Sequence, residues 1–214
     1  MTAKDERLEH ARELYERAVF GGDAEAPELA EVELDGVEAD LALARGRILH
    51  ARFLADRRRD DRELELFERA AEHYNRLGDR RGEAEALFWI GTFHQVVEGD
   101  AKEATPYFER ASALAQAVGD RLTMSYVERH LGFVAAEEGR LDEARRLLEE
   151  SIRLRREIEF LPGVAAGLLA LADLELDAGN RDKAEALLAE ARRVAEESEA
   201  AGILRWIDEA ERSL

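Results

Sequence analysis

The chain has 214 residues, 46% of them hydrophobic, no cysteine, and a formal net charge of −18. That apolar content is ample for one large domain or two small ones, while the absence of thiols excludes disulfides, thiol catalysis and thiolate metal sites. The charge argues against nucleic acid as a direct ligand, because a phosphate backbone is repelled unless a strong basic patch opposes the overall field.

Two further exclusions come from hydropathy. The longest uninterrupted stretch of apolar residues and glycine, "GVAAGLLALA" at 163–172, is about half of the roughly 20 residues a membrane span needs. The start, "MTAKDERLEH", carries charge where a secretory signal requires its apolar segment, so the expected location is the cytoplasm. The acidic excess is uneven: residues 1–40 hold 13 acids and 4 bases, and residues 163–214 hold 12 and 6.

In chain order, residues 1–20 read as a first helix. Residues 21–40 read as a solvated acidic linker, since "DAEAPELAEVELDGVEAD" (23–40) contains eight acids and no base. A sharper reading makes this stretch a lid that competes with an acidic or peptide ligand. From residue 41 the pattern is helical throughout, with few prolines and abundant Ala, Leu, Glu and Arg. The segment 41–79 has a stretched connection, "ADRRRDDRE" (55–63), and lacks a turn glycine. In 80–119, "HQVVEGD" has one residue more than its later counterparts, which points to an irregularity there. Pro106 lies beyond the first turn if Asp100 caps its helix, or opens that helix if Thr105 caps instead. In 120–161, Tyr126, Val127, Leu131, Val134 and Ala135 keep helical spacing up to Gly139, and Leu141, Ala144, Leu147, Leu148 and Ile152 begin the next helix. Residues 162–202 repeat this plan, with Pro162 in a first helical turn and Asp79, Asp100, Asp120 and Asn180 as candidate caps. Residues 203–214 place Ile203, Trp206, Ile207, Ala210 and Leu214 on one stripe that reads as a terminal cap.

The chain repeats itself. "EEGRLDEARRLLEE" (137–150) returns as "DAGNRDKAEALLAE" (177–190), pairing Gly139 with Gly179, Ala144 with Ala184 and Leu148 with Leu188. The same pattern stands in "EGDAKEATPYFERA" (98–111), and "FERA" occurs at both 67–70 and 108–111. A period of 40–41 residues is that of a repeat array in which each two-helix unit buries its apolar face on the next.

These residues resemble the tetratricopeptide repeat family. The small residue of helix A is matched by Gly46, Gly91, Gly132 and Ala172, and the turn glycine by Gly99, Gly139 and Gly179. The helix B series is matched by Ala104, Phe108 and Ala111, by Ala144, Leu148 and Ser151, and by Ala184, Leu188 and Ala191. "HARELYERA" offers a half-repeat through Ala11, Tyr15 and Ala18. The period exceeds the usual family repeat of about 34 residues, as in the long-repeat members found in kinesin light chains and in sensor domains of bacterial activators. The resemblance implies an all-α, right-handed solenoid of about ten helices, with repeats at 41–79, 80–119, 120–161 and 162–202.

The resemblance also implies a concave groove lined by helix A of each repeat. The groove positions carried over are Leu43 and Arg47, Phe88 and Thr92, Arg129 and Phe133, and Leu169 and Asp173; neighbouring turns add His50, Glu85, Gln95, Tyr126, Glu137, Leu176 and Asp177. The candidate ligand-binding set is Arg47, His50, Phe88, Thr92, Gln95, Tyr126, Arg129, His130, Phe133 and Asp173. Arg129, expected beside Phe88, Tyr126 and Phe133, is its centre, because an arginine held near aromatic faces can bind a carboxylate while the rings supply buried area. The lysine and asparagine clamp of the family's chaperone-tail binders is replaced here by Leu, Phe, Arg and Leu at one set of positions and Arg, Thr, Phe and Asp at the other. Binding of such acidic C-terminal tails is therefore not expected.

No HExxH, GxSxG, Walker loop or GxGxxG occurs, and no acid, base and nucleophile set emerges, so no catalysis, cofactor or metal is expected. His94 and Glu98, four residues apart, read as a helix-surface pair rather than two metal ligands. His130 reads as a packed core histidine or as a groove residue, and His10, His50 and His73 have no partner identifiable in the sequence. The leading reading is a non-catalytic module that recognises a protein or peptide segment, as an adaptor or sensor. The alternative is a small-molecule or short-peptide receptor with a pocket around Arg129, and the last is an accessory enzyme of a biosynthetic pathway. Oligomeric state is not fixed by the sequence.

Overall fold

The computed structural model describes residues 5–212, and among them every regular element is helical. The order is α1 (Glu6–Gly21), α2 (Ala26–Asp56), α3 (Arg62–Leu77), α4 (Arg80–Thr92) running into a π-helical segment (Phe93–Glu98), α5 (Ala101–Val118), α6 (Arg121–Glu137), α7 (Leu141–Glu157), α8 (Leu161–Asp177), α9 (Arg181–Glu197) and α10 (Ala201–Glu211). The chain divides into two compact units, Met1–Asp100 and Ala101–Leu214. The division falls inside the repeat expected at 80–119, leaving α4 and the π segment in the first unit and α5 in the second.

In the first unit the acidic stretch is not a linker. Pro27 sits in the first turn of a 31-residue helix, α2, and only residues 22–25 separate it from α1. The acids read as solvated because their partners lie elsewhere in the sequence. Glu33 Oε1 is 2.7 Å from His10 Nδ1, Asp35 Oδ1 is 3.0 Å from His73 Nδ1, Asp40 Oδ2 is 2.7 Å from Arg7, and the Tyr74 hydroxyl donates to Asp40 at 2.6 Å. Two of the three histidines without partners in the sequence, His10 and His73, find them here. With residues 26–40 held between α1 and α3, the lid reading is set aside.

Three local expectations in this unit also change. Leu14, fully buried, fills the place assigned to Tyr15, which faces outward. Where a turn glycine is missing, Arg57 itself takes the left-handed conformation (φ 57°) and donates its N–H to Phe53 O. That costs roughly 1 kcal/mol that glycine would avoid. The extra residue of "HQVVEGD" is absorbed as the π segment, closed by Gly99 donating to His94 O, the usual way an insertion is housed within a helix. Gly46 has a packing reason: an added Cβ would stand 2.5 Å from the Phe67 ring.

The second unit is a regular succession in which each helix packs on the next from α5 to α10. Its core draws on Leu147, Leu148 and Ile152 of α7, Leu168, Leu171 and Leu174 of α8, Leu188 and Val194 of α9, and Ile207 of α10. Burying such side chains contributes about 1.5–3 kcal/mol each relative to exposure. Pro106 lies inside α5, which begins at Ala101, so the helix does not start at Thr105. Asp120 caps α6 by accepting from Leu122 N and Thr123 N, whereas Asn180 makes no cap bond and donates its side-chain amide to Glu175 Oε2 at 2.7 Å. On α10, Ile207 is fully buried and Ile203, Leu204 and Ala210 pack on the core, but Trp206 is exposed; Leu214 lies outside the described residues.

Candidate functional site

The expected groove residues of the first unit are mostly interior. Phe88 and Thr92 are 2% exposed. Phe88 meets the Trp89 ring edge-on at 5.2 Å, and Thr92 Oγ1 donates to Phe88 O at 2.9 Å. His50, also buried, lies edge-on to Trp89 at 5.3 Å with Nδ1 2.9 Å from Glu63 Oε1. These three are core residues: Phe88 and Thr92 lie among the buried residues of α4, and His50 among those of α2. Gln95 is partly buried on the π segment. Arg47 alone of these is exposed, paired with Glu85 at 3.1 Å and lying 5.8 Å from the Trp89 ring centroid.

A feature the sequence reading missed lies on another face of this unit. A cavity of about 510 Å³ between α2 and α3 is lined by Ala44, Ile48, Leu49 and Leu66 together with Arg45, Arg52, Arg62, Arg69 and Glu65. All four arginines are exposed, so water already satisfies them. His94 Nδ1 is 2.7 Å from Glu98, which also pairs with Arg59 at 3.0 Å. No group of three potential metal ligands occurs among the described residues.

The second unit holds the arrangement of interest. Tyr126, Arg129 and Phe133 are three and four residues apart on α6 and therefore share one face. All three are partly buried. The Arg129 guanidinium lies 4.6 Å from the Phe133 ring centroid. Its Nε is fully buried and has no hydrogen-bond partner. Leaving such a donor unsatisfied costs about 1–3 kcal/mol. His130 turns away into the core against Phe108 (5.4 Å) and Phe133 (5.7 Å), which settles its two readings in favour of packing. Asp173 stands exposed on α8, near enough for its charge to act on Arg129.

A second arginine, which the sequence reading did not single out, joins this face from α7. Arg155 is 1% exposed, the largest fully buried side chain among the described residues. Its Nη1 donates to Gly163 O at 2.8 Å, its Nε reaches Ser125 Oγ at 3.4 Å, and its guanidinium lies 5.2 Å from the Tyr126 ring centroid. Tyr126 in turn meets Phe160 edge-on at 6.2 Å. Gly163 and Gly167 clear the space: a Cβ at Gly163 would lie 2.4 Å from the Phe160 ring and 3.0 Å from Arg155 Cδ, and one at Gly167 would meet Ile152 at 2.7 Å and Arg155 Nη1 at 3.7 Å. The signal was present in "SIRLRREIEFLPGVAAG": Arg155 stands four residues after Ser151 and three after Ile152, on the buried side of its helix, and two glycines four apart follow.

The electrostatics follow from this geometry. Burial pulls the Arg129 pKa down to about 10, against the charges of Asp173 and Tyr126. Burial, and then the Arg129 charge, pull Arg155 down to about 9. Asp173 is pushed above its ordinary value by desolvation and by Asp177, with Arg129 opposing. Both guanidiniums remain charged at neutral pH. Neither makes an ion pair among the described residues. One fully buried and one partly buried cation thus stand on this face, with Asp173, itself under the charge of Asp177, acting on Arg129.

One comparison agrees with the helical plan. Residues 123–197 match the family model of the tetratricopeptide repeat. Among solved structures, the crystal structure of BtubC (BKLC) from P. vanneervenii is similar at 18% identity, covering 91% of this chain and 90% of that one with a TM-score of 0.46. No curated protein matches the chain. No described helix is long and apolar enough to cross a membrane. Tetratricopeptide repeats generally mediate protein–protein interaction, and the face carrying Tyr126, Arg129, Phe133 and Asp173 lies within the matched residues. Over residues 123–197 the chain is similar to the tetratricopeptide repeat family.

Proposed function

We propose that the protein is a non-catalytic, cytoplasmic recognition module that binds a polypeptide segment on the face of α6 and α8 in its second unit. The observation that carries this reading is the row Tyr126, Arg129, Phe133, in which partly buried rings flank a guanidinium whose Nε has no partner. Aromatic and arginine side chains in such settings dominate binding energy, while the groups around them mainly exclude water. Catalysis finds no support here, since no nucleophile and base stand together on this face. The net acidity supports a protein partner over nucleic acid.

A displayed random-peptide library selected on the intact protein tests the reading. Selected sequences should share an apolar anchor. Phe133→Ala and Arg129→Ala should each weaken the best binder at least tenfold, in line with the loss of a central anchor. A library without enrichment, or binders indifferent to both substitutions, overturns it.

A further inference from the structure

Arg155 has no evident structural reason to be an arginine. A methionine or leucine fills such a volume without the cost of desolvating a charge, and replacing buried charge by well-packed apolar groups is often neutral or stabilising. What the fold gives this side chain is one carbonyl, one long contact to a hydroxyl and the face of Tyr126. It provides no carboxylate, although elsewhere in the same unit a buried carboxylate, Glu175, is surrounded by Arg145, Lys183 and Asn180. Arg155 lies over Tyr126, and three residues further along the same face of α6 stands a second cation, Arg129, with a buried N–H that nothing accepts. Two like charges kept together, with only the exposed Asp173 acting on one of them and no carboxylate bonded to either, describe a site that is complete when an anion is bound.

We infer that Arg129 and Arg155 together hold a single oxyanion of the bound segment, a carboxylate or a phosphate ester, with Tyr126 and Phe133 covering it from the sides. The inference deepens the recognition reading above and rests on it for the identity of the ligand as a polypeptide. Charge sets the limit on that ligand: two guanidiniums accept one or two negative charges, whereas a run of acids meets Asp173, Asp177 and the acidic remainder of the chain. The site therefore takes one acidic group among apolar neighbours, in keeping with the absence of the family's tail-binding clamp. Arg155 is the positioning arm. Its Gly163 and Ser125 contacts orient it in advance, which lowers the entropy cost of closing on a ligand.

The test uses the intact protein without any peptide. Thermal melts in rising inorganic phosphate, or in rising benzoate as the carboxylate probe, are compared with sodium chloride at matched ionic strength. A site of this kind gives a saturable rise in Tm of a few degrees at about ten times Kd, larger for phosphate if the natural group is an ester and larger for benzoate if it is a carboxylate. Arg155→Met and Arg129→Gln should each abolish the anion-specific part of the shift. In parallel, the side-chain Nε–Hε resonances of the wild-type protein are followed during the same titrations, which needs no variant to fold; those of Arg129 and Arg155 should move together and saturate at one Kd. A Tm that follows chloride alone, a shift that survives Arg155→Met, or unmoved arginine resonances would each overturn the inference. Since no segment is present, failure here with intact peptide selection leaves the recognition reading standing, and success here with no peptide enrichment separates an anion site from a segment-binding one.

Discussion

Two buried charges in the second unit, on neighbouring helices, are treated in opposite ways. Glu175 on α8 is fully buried and saturated: Arg145 Nε donates at 2.6 Å, Lys183 Nζ at 2.7 Å and Asn180 Nδ2 at 2.7 Å. Its pKa is held down to about 2, chiefly by the Arg145 hydrogen bond. Arg155 on α7 is as deeply buried and has one short hydrogen bond, to a neutral carbonyl. A buried ion with all its partners ties α7, α8 and α9 together, whereas a buried ion without them is a cost the fold carries for something else. The difference separates a structural node from a binding one, although both residues look alike in a composition table.

The contrast can be broken by substitution. Glu175→Ala is expected to have the largest effect, a loss on the order of 2–3 kcal/mol in urea unfolding. That is below the roughly 3–5 kcal/mol typical of breaking a buried pair, because Arg145 and Lys183 are partly exposed and can turn to water. The pH dependence has a definite sign. A carboxylate whose folded pKa lies below its unfolded value contributes stability that is fully present above about 4.5 and is lost as pH falls toward about 2. Urea midpoints of wild type and Glu175→Gln measured from pH 6 down to pH 2.5 should therefore converge. Parallel curves would remove Glu175 from the account.

Gly163→Ala comes next. The new methyl must displace the Phe160 ring and crowd Arg155, and overpacking of this kind costs about 1–3 kcal/mol. It should also diminish the anion response, so that one substitution registers in both stability and binding. Arg155→Met is expected to be neutral or to stabilise by about 1 kcal/mol, in opposition to Glu175→Ala. A loss as large as that of Glu175→Ala would mean that Arg155 is also a structural node. The smallest effect belongs to Arg153→Ala, whose ion pairs with Glu150 and Glu157 are surface ones. Such pairs are screened and entropically costly, so its melting curve should overlay the wild type.

How much of this was legible in the residues depends on the range of the interactions concerned. The helices of the second unit follow from periodicity and from Gly139 and Gly179, which take left-handed φ of 76° and 79°, because helix stops and apolar stripes are written within a few residues. The acidic stretch misled for the opposite reason. Among its eight acids, Glu33, Asp40 and Asp35 look solvated until His10, Arg7 and His73, up to 38 residues away in sequence, are brought alongside. Phe88 and Thr92 sit at helix positions the family turns toward ligand, yet here they are interior.

The sequence by itself determined the helical class, the 40–41-residue period and the face of α6 that carries Tyr126, Arg129 and Phe133, since each of these is a matter of local spacing. Tertiary structure alone decided that Arg155 joins that face, that Glu175 is satisfied and Arg129 Nε is not, and that Glu33, Asp35 and Asp40 of α2 are partnered. Pairing of charges depends on which side chains meet across helices, and no periodicity encodes that until the helices are packed.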